Sequence, residues 1–208
     1  MKTTFFSRIA YKLMVIVIAI SYTLTPYVGP SNDDPIQTNE QTGANLTAVM
    51  WADPQFSNYI VKRTKYFDAA CEDVTYNIDG KVDAMLNAGD IAENGLLCEY
   101  QYIEEKLAGA RTNCFLNAVG NHDVRLKASY KKTVKNFTGF TNDLNKAVGS
   151  DFTMDALHYS YEINGYKFIV LGTDRTEFEE SYISEAQLCW LDAQLGEAVE
   201  KIHFLIFF

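Results

Sequence analysis

An α/β fold with a mainly parallel sheet is predicted by two features of the chain. From Leu46 onward, short apolar strands alternate with longer segments of helical periodicity, the pattern of parallel strands joined by crossover helices. Late in the chain, "HYSYEINGYKFIVLGTD" alternates on both sides of Asn164-Gly165, a two-residue hairpin signal that adds antiparallel strands. The length of 208 residues, with 48% hydrophobic and 13% aromatic content, suits one domain with a proper core and excludes a disordered chain. A formal charge of -9 argues against a nucleic-acid backbone as the main partner, and no nucleic-acid groove is expected.

The first 21 residues are not expected to belong to the fold. Lys2, Arg8 and Lys12 precede the apolar run "LMVIVIAI", and Ala19 and Ser21 are small, the layout of a secretory signal cleaved after Ser21. Eight apolar residues in a row are far short of the ~20 that span a bilayer. The chain is therefore expected to be exported, and to meet a membrane only if this signal stays uncleaved. Residues 22–45 read as a polar, solvated leader, and residues 46–208 as the domain.

Within the domain, "LTAVMWA" predicts a strand that runs into Asp53. "SNYIVKRTKYFDAACEDV" repeats apolar residues at helical spacing. "VDAMLNA" is the second strand and ends at Gly89-Asp90; "LLCEYQYIEEKLAG" is a helix with Gly109 as its expected C-cap. "CFLNAV" is the third strand, ending at Gly120. Residues 125–148 are basic and amphipathic, predicting a helix broken near Gly139. After the hairpin, a helix starts at Ser184, which can cap it, and leads into a strand at "IHFLIFF". Cys71, Cys98, Cys114 and Cys189 contain no CxxC pair, so buried free thiols are expected rather than a disulfide framework or a zinc site.

Ligands of such sheets gather beyond the carboxyl ends of the strands, and three strands here end in Asp53, Gly89-Asp90 and Gly120-Asn121-His122-Asp123. Parallel neighbours bring these clusters to one edge. Two carboxylates and an amide oxygen are hard ligands, suited to divalent cations, and glycine before a ligand lets the backbone turn sharply out of a strand.

"WADPQ" (51–55), "NAGDIAENG" (87–95) and "AVGNHD" (118–123) resemble, in letters, order and spacing, the first three motifs of the calcineurin-like metallophosphoesterases. The resemblance runs over residues 46–208 and implies a mixed β-sandwich flanked by helices. It implies two divalent metal ions (manganese, iron, zinc or similar) and hydrolysis of phosphate mono- or diesters. Asp53 would bind the first metal, Asp90 would bridge both and Asn121 would bind the second. His122 would face the phosphoryl group as proton donor or charge stabiliser, with Asp123 available to hold its ring. Gln55 stands where the commoner pattern has histidine; it is either a weak ligand or a polar support for one, and exported branches of the family resemble this DPQ form.

The family's later histidine ligands would follow the last strand, so the resemblance also implies a fold incomplete at its C-terminus and a metal shell short of ligands. His203 sits five residues before Phe208, roughly 16 Å from the far end of its strand at ~3.3 Å per residue, and reads as a buried strand histidine. His158, just before the hairpin, has no partner motif and reads as a structural or surface residue. The sequence thus supports a truncated, weakly active or inactive exported metallophosphoesterase. An exported binding module without catalysis on the same fold is the second reading. A Rossmann-like nucleotide domain is disfavoured, since no glycine-rich loop follows the first strand.

Overall fold

A computed structural model describes residues 38, 45–125, 130–174, 181–198 and 204–207. The expected signal, most of the leader and His203 lie outside the described residues. The architecture is mixed α/β, with four helices among the described residues and two three-stranded sheets. The first sheet is parallel, in the order β1 (Ala48–Trp51), β2 (Ala84–Asn87), β3 (Phe115–Asn117). Crossover helices α1 (Val61–Tyr76) and α2 (Leu97–Leu107) connect these strands. After β3 come α3 (Tyr130–Val148), then β4 (Tyr159–Ile163) and β5 (Tyr166–Val170), then α4 (Glu185–Ala198) and β6 (Phe204–Phe207). β5 pairs antiparallel with β4 and parallel with β6.

Local sequence chemistry explains most of these boundaries. Asn164 and Gly165 both have positive φ, 52° and 82°, as a tight hairpin turn requires. Ser184 caps α4 through its hydroxyl, which accepts from Gln187 N at 3.2 Å. Glu99 opens α2 by reaching back to Leu96 N at 3.0 Å and Asn94 N at 3.1 Å, filling donors that a helix start leaves free. Two expectations fail. α3 runs unbroken through Gly139, because Phe137, Phe140 and Leu144 are buried at helical spacing and that packing outweighs the ~1 kcal/mol glycine costs. Gly109 is not a left-handed cap: Ala108 closes α2 in the right-handed region at φ −58°. A Cβ at Gly109 would meet Thr75 Cγ2 at 3.2 Å, so the residue serves the close approach of α2 to α1.

One hydrophobic cluster includes side chains of both sheets, among them Met85, Leu86, Phe115, Tyr159 and Phe168, together with Phe67, Tyr100, Ile103 and Phe137 from the helices. The outer edge of β3 is covered by a side chain: Asn145 accepts from Phe115 N and donates to Phe115 O, both at 2.9 Å, replacing the ladder bonds an open edge would lack. Beyond the strand ends, Thr173 N donates to Val119 O at 3.0 Å, which ties the two sheets together beside Gly120. All four cysteines are free, but only Cys71 and Cys114 are buried. Burial pushes both of those thiols up to about 12; Cys98 and Cys189 are exposed, against expectation.

Candidate metal and phosphate edge

Past the ends of β1 and β2 the chain keeps to a ladder-like pairing: Asp53 N donates to Gly89 O at 3.3 Å, Gln55 N to Asp90 O at 2.8 Å and Phe56 N to Ile91 O at 2.9 Å. This brings the two predicted clusters together at the carboxyl edge. The backbone there is unusual. Asp53, Gln55 and Asp90 have φ of 51°, 43° and 54°, three of the four non-glycine residues with positive φ among those described; the fourth is the hairpin Asn164. A left-handed residue with a Cβ costs roughly 1–2 kcal/mol, so this edge holds local strain that the surrounding fold must offset, as functional sites commonly do.

Asp90 is buried and accepts His122 N on Oδ1 at 2.8 Å. Burial raises its carboxyl pKa, with the Asp53 carboxylate adding to the rise; the His122 N–H and the Gln55 side chain work the other way. Two glycines make the approach possible. A Cβ on Gly120 would land on Asp90 Oδ1 and Asp90 N, and one on Gly89 would meet Gly120 Cα at 3.2 Å. Asn121 joins from the third strand, its Oδ1 accepting from Ser181 Oγ at 3.3 Å. The structure therefore brings Asp53, Gln55 and Asp90 to one edge and hangs the Asn121-His122 backbone from Asp90.

His122 is oriented by a residue the sequence reading passed over. Its Nδ1 lies 3.1 Å from Glu93 O and 3.5 Å from Glu93 Oε2. Glu93 is itself held by two arginines: Arg125 at 2.8 Å, and Arg63 on its other oxygen. Asp123 does not hold the ring. Its carboxylate is buried and taken by backbone donors, Ala92 N at 3.0 Å and Gly120 N at 2.9 Å, so it locks the loops rather than the imidazole. Burial pushes Asp123 up to about 7 against the pull of those N–H groups. Glu93 stands three residues after Asp90 in "GDIAENG", but its partners come from α1 and from beyond β3, and nothing local announces such a contact. His158 packs edge-on to Trp190 at 4.8 Å, a structural place far along the chain from the edge motifs.

The donor set fits a hard cation in kind: the carboxylates of Asp53 and Asp90, plus the amide oxygens of Gln55 and Asn121. Burial first, and the Asp53 charge after it, disfavour the charged form of Asp90, an effect that a bound cation would relieve. In number the set is small, and among the described residues no three His, Cys, Asp or Glu side chains gather at one point. No family model matches this chain, and no curated protein matches it in sequence.

Proposed function

We propose that this edge is the metal- and phosphate-facing edge of an exported phosphoester hydrolase of the calcineurin-like type, acting on phosphate mono- or diesters, with the two sheets as the layers of that family's β-sandwich. The observation that carries the reading is the left-handed backbone at Asp53, Gln55 and Asp90, at the ends of adjacent parallel strands, with Gly120 leaving room for the Asp90 carboxylate. Three chain segments converge there at a cost in local stability that a merely structural edge does not need.

Asp53, Asp90 and Asn121 would hold divalent ions, with Gln55 either ligating or steadying Asp90. Bound cations would supply charge neutralisation for the phosphoryl group and an activated water. The chain's own contribution is proton handling and orientation. With Nδ1–H held by Glu93 O, the neutral His122 ring presents Nε2 as an acceptor; once protonated, it presents an N–H to a leaving alkoxide. Glu93 fixes the orientation of the ring.

Calorimetric titration with manganese tests this. The chain should bind the ion weakly, Asp90→Asn should abolish the binding, and His122→Ala should leave it nearly intact. No manganese binding, binding unchanged in Asp90→Asn, or metal loss in His122→Ala would overturn the assignment. Where manganese-dependent hydrolysis is measured, His122→Ala should slow alkyl phosphates by ~10²–10⁴-fold, the usual worth of general acid catalysis. Nitrophenyl phosphates, which need little protonation to leave, should suffer less.

A further inference from the structure

A cleft of about 390 Å³ adjoins the edge on the β1 side, lined by Asp53, Gln55, Trp51, Arg63, Tyr66 and Phe67 among others. Asp53 and Gln55 thus belong to both the ligand edge and the cleft. A phosphoester held at the edge would therefore lie beside this space. The volume lies in the range of small-molecule sites, and the lining is of the matching kind, apolar and aromatic with a few polar groups.

The chemistry of the lining narrows the occupant. Trp51 is half-buried and fixed edge-to-face on Phe67, with ring centroids 6.0 Å apart at 75°. Tyr66 is 64% exposed, a large ring left in water beside the opening. Arg63 presents a third planar group, engaged by Glu93, which it shares with Arg125. A second phosphate is disfavoured here, because Asp53 contributes a carboxylate and the Arg63 guanidinium is already engaged by Glu93. Planar groups that can stack suit an aromatic ring.

We infer that this cleft receives a planar aromatic ring carried by the phosphoester, either the base of a nucleotide or the phenol of an aryl phosphate. The inference rests on the proposed hydrolase reading for the phosphoester, but the ring subsite stands on the cleft itself, and metal-free binding separates the two.

The test uses the full chain in chelator with Trp190→Phe, which leaves Trp51 as the sole tryptophan of the two in the sequence. Adenosine, phenol and inorganic phosphate are titrated against its fluorescence. Adenosine, phenol or both should quench saturably, the stronger naming the source of the ring, and phosphate should not. Tyr66→Ala should weaken ring binding about tenfold, as loss of one stacking partner does. Since Tyr66 is mostly exposed, the variant should fold. Tyr76→Ala, at an exposed position of α1 that does not line the cleft, should change nothing. No saturable quenching by either ring compound, quenching by phosphate alone, or an unchanged affinity in Tyr66→Ala would each overturn the inference. If manganese binding is absent while the rings still bind, the hydrolase reading falls and the ring subsite survives.

Discussion

The two ends of the parallel sheet treat a buried aspartate in opposite ways. At the amino end, Asp83 is satisfied by neutral donors: Thr47 N at 2.7 Å and Thr47 Oγ1 at 3.2 Å on one oxygen, and Asn164 Nδ2 at 2.9 Å on the other. These bonds clasp β1, β2 and the β4–β5 turn together. At the carboxyl end, burial drives the Asp90 pKa up and the Asp53 carboxylate adds to the rise. The backbone differs too: the carboxyl end collects the left-handed aspartates and glutamine, whereas Asn164 at the amino end is left-handed only because a hairpin turn requires it. Saturated hydrogen bonding is what a stabilising carboxylate looks like. A buried carboxylate on strained backbone, raised further by a second carboxylate, is what the proposed cation-binding role would need.

The sharpest way to break this comparison is to fill the space the carboxyl end keeps open. Gly120→Ala places a methyl on Asp90 Oδ1 and on backbone at Asp90 N, and backbone cannot swing away as a flexible side chain can. Overpacking of this kind should cost about 3 kcal/mol and should also remove manganese binding. Urea denaturation and calorimetry together check it; a variant of unchanged stability would mean that Asp90 is not held where the structure puts it.

Paired substitutions of the two aspartates sharpen the contrast. Asp83→Ala leaves the Thr47 N–H without its carboxylate acceptor, while Asn164 Nδ2 keeps Asn45 O, and should cost about 2 kcal/mol without affecting metal binding. Asp90→Asn should do the reverse, making the metal-free chain more stable while abolishing metal binding, the trade expected of a functional charge. The sign follows from linkage. A carboxyl whose folded pKa is raised binds more protons folded than unfolded, so stability is greatest below the unfolded value, about 3.9, and falls as pH rises through the folded one. Asp123, pushed up to about 7, acts in the same direction. Metal-free stability should therefore decline from about pH 4 to about pH 7, less steeply in Asp90→Asn and least in the double variant with Asp123→Asn. Stability rising with pH across that window would contradict both shifts.

How much of this was legible in the sequence depends on how local the cause is. The alternation of strand and helix, the Asn164-Gly165 turn and the Ser184 cap are each set within a few residues, and the structure shows all three. The meeting of Asp53 with Asp90 follows from parallel pairing, which strand order alone predicts. Glu93 on His122 does not, since Arg63 arrives from α1 and Arg125 from beyond β3. Asp123 was misplaced for a related reason: adjacency suggested the neighbouring ring, but the donors that won are the N–H groups of Gly120 and Ala92. Exposure of Cys98 and Cys189 was equally hidden, because it depends on which helix face meets the core.

The smallest effect comes from a second glycine, and it tests whether tight packing against glycine belongs to the edge or to glycines in general. Gly139 lies inside α3, where a break was expected and none occurs. A Cβ built there meets nothing within 4 Å, while at Gly120 it strikes the Asp90 carboxylate. Nothing in the fold requires glycine at 139, so the residue only adds backbone entropy to the unfolded chain. Gly139→Ala should therefore stabilise the protein by roughly 0.5–1 kcal/mol, with no change in manganese binding or in ring quenching of Trp51. Thermal melts of the two alanine variants side by side decide the matter. If Gly139→Ala destabilises as Gly120→Ala does, glycine is being selected along the whole chain for packing, and the special character of the carboxyl edge loses one of its supports.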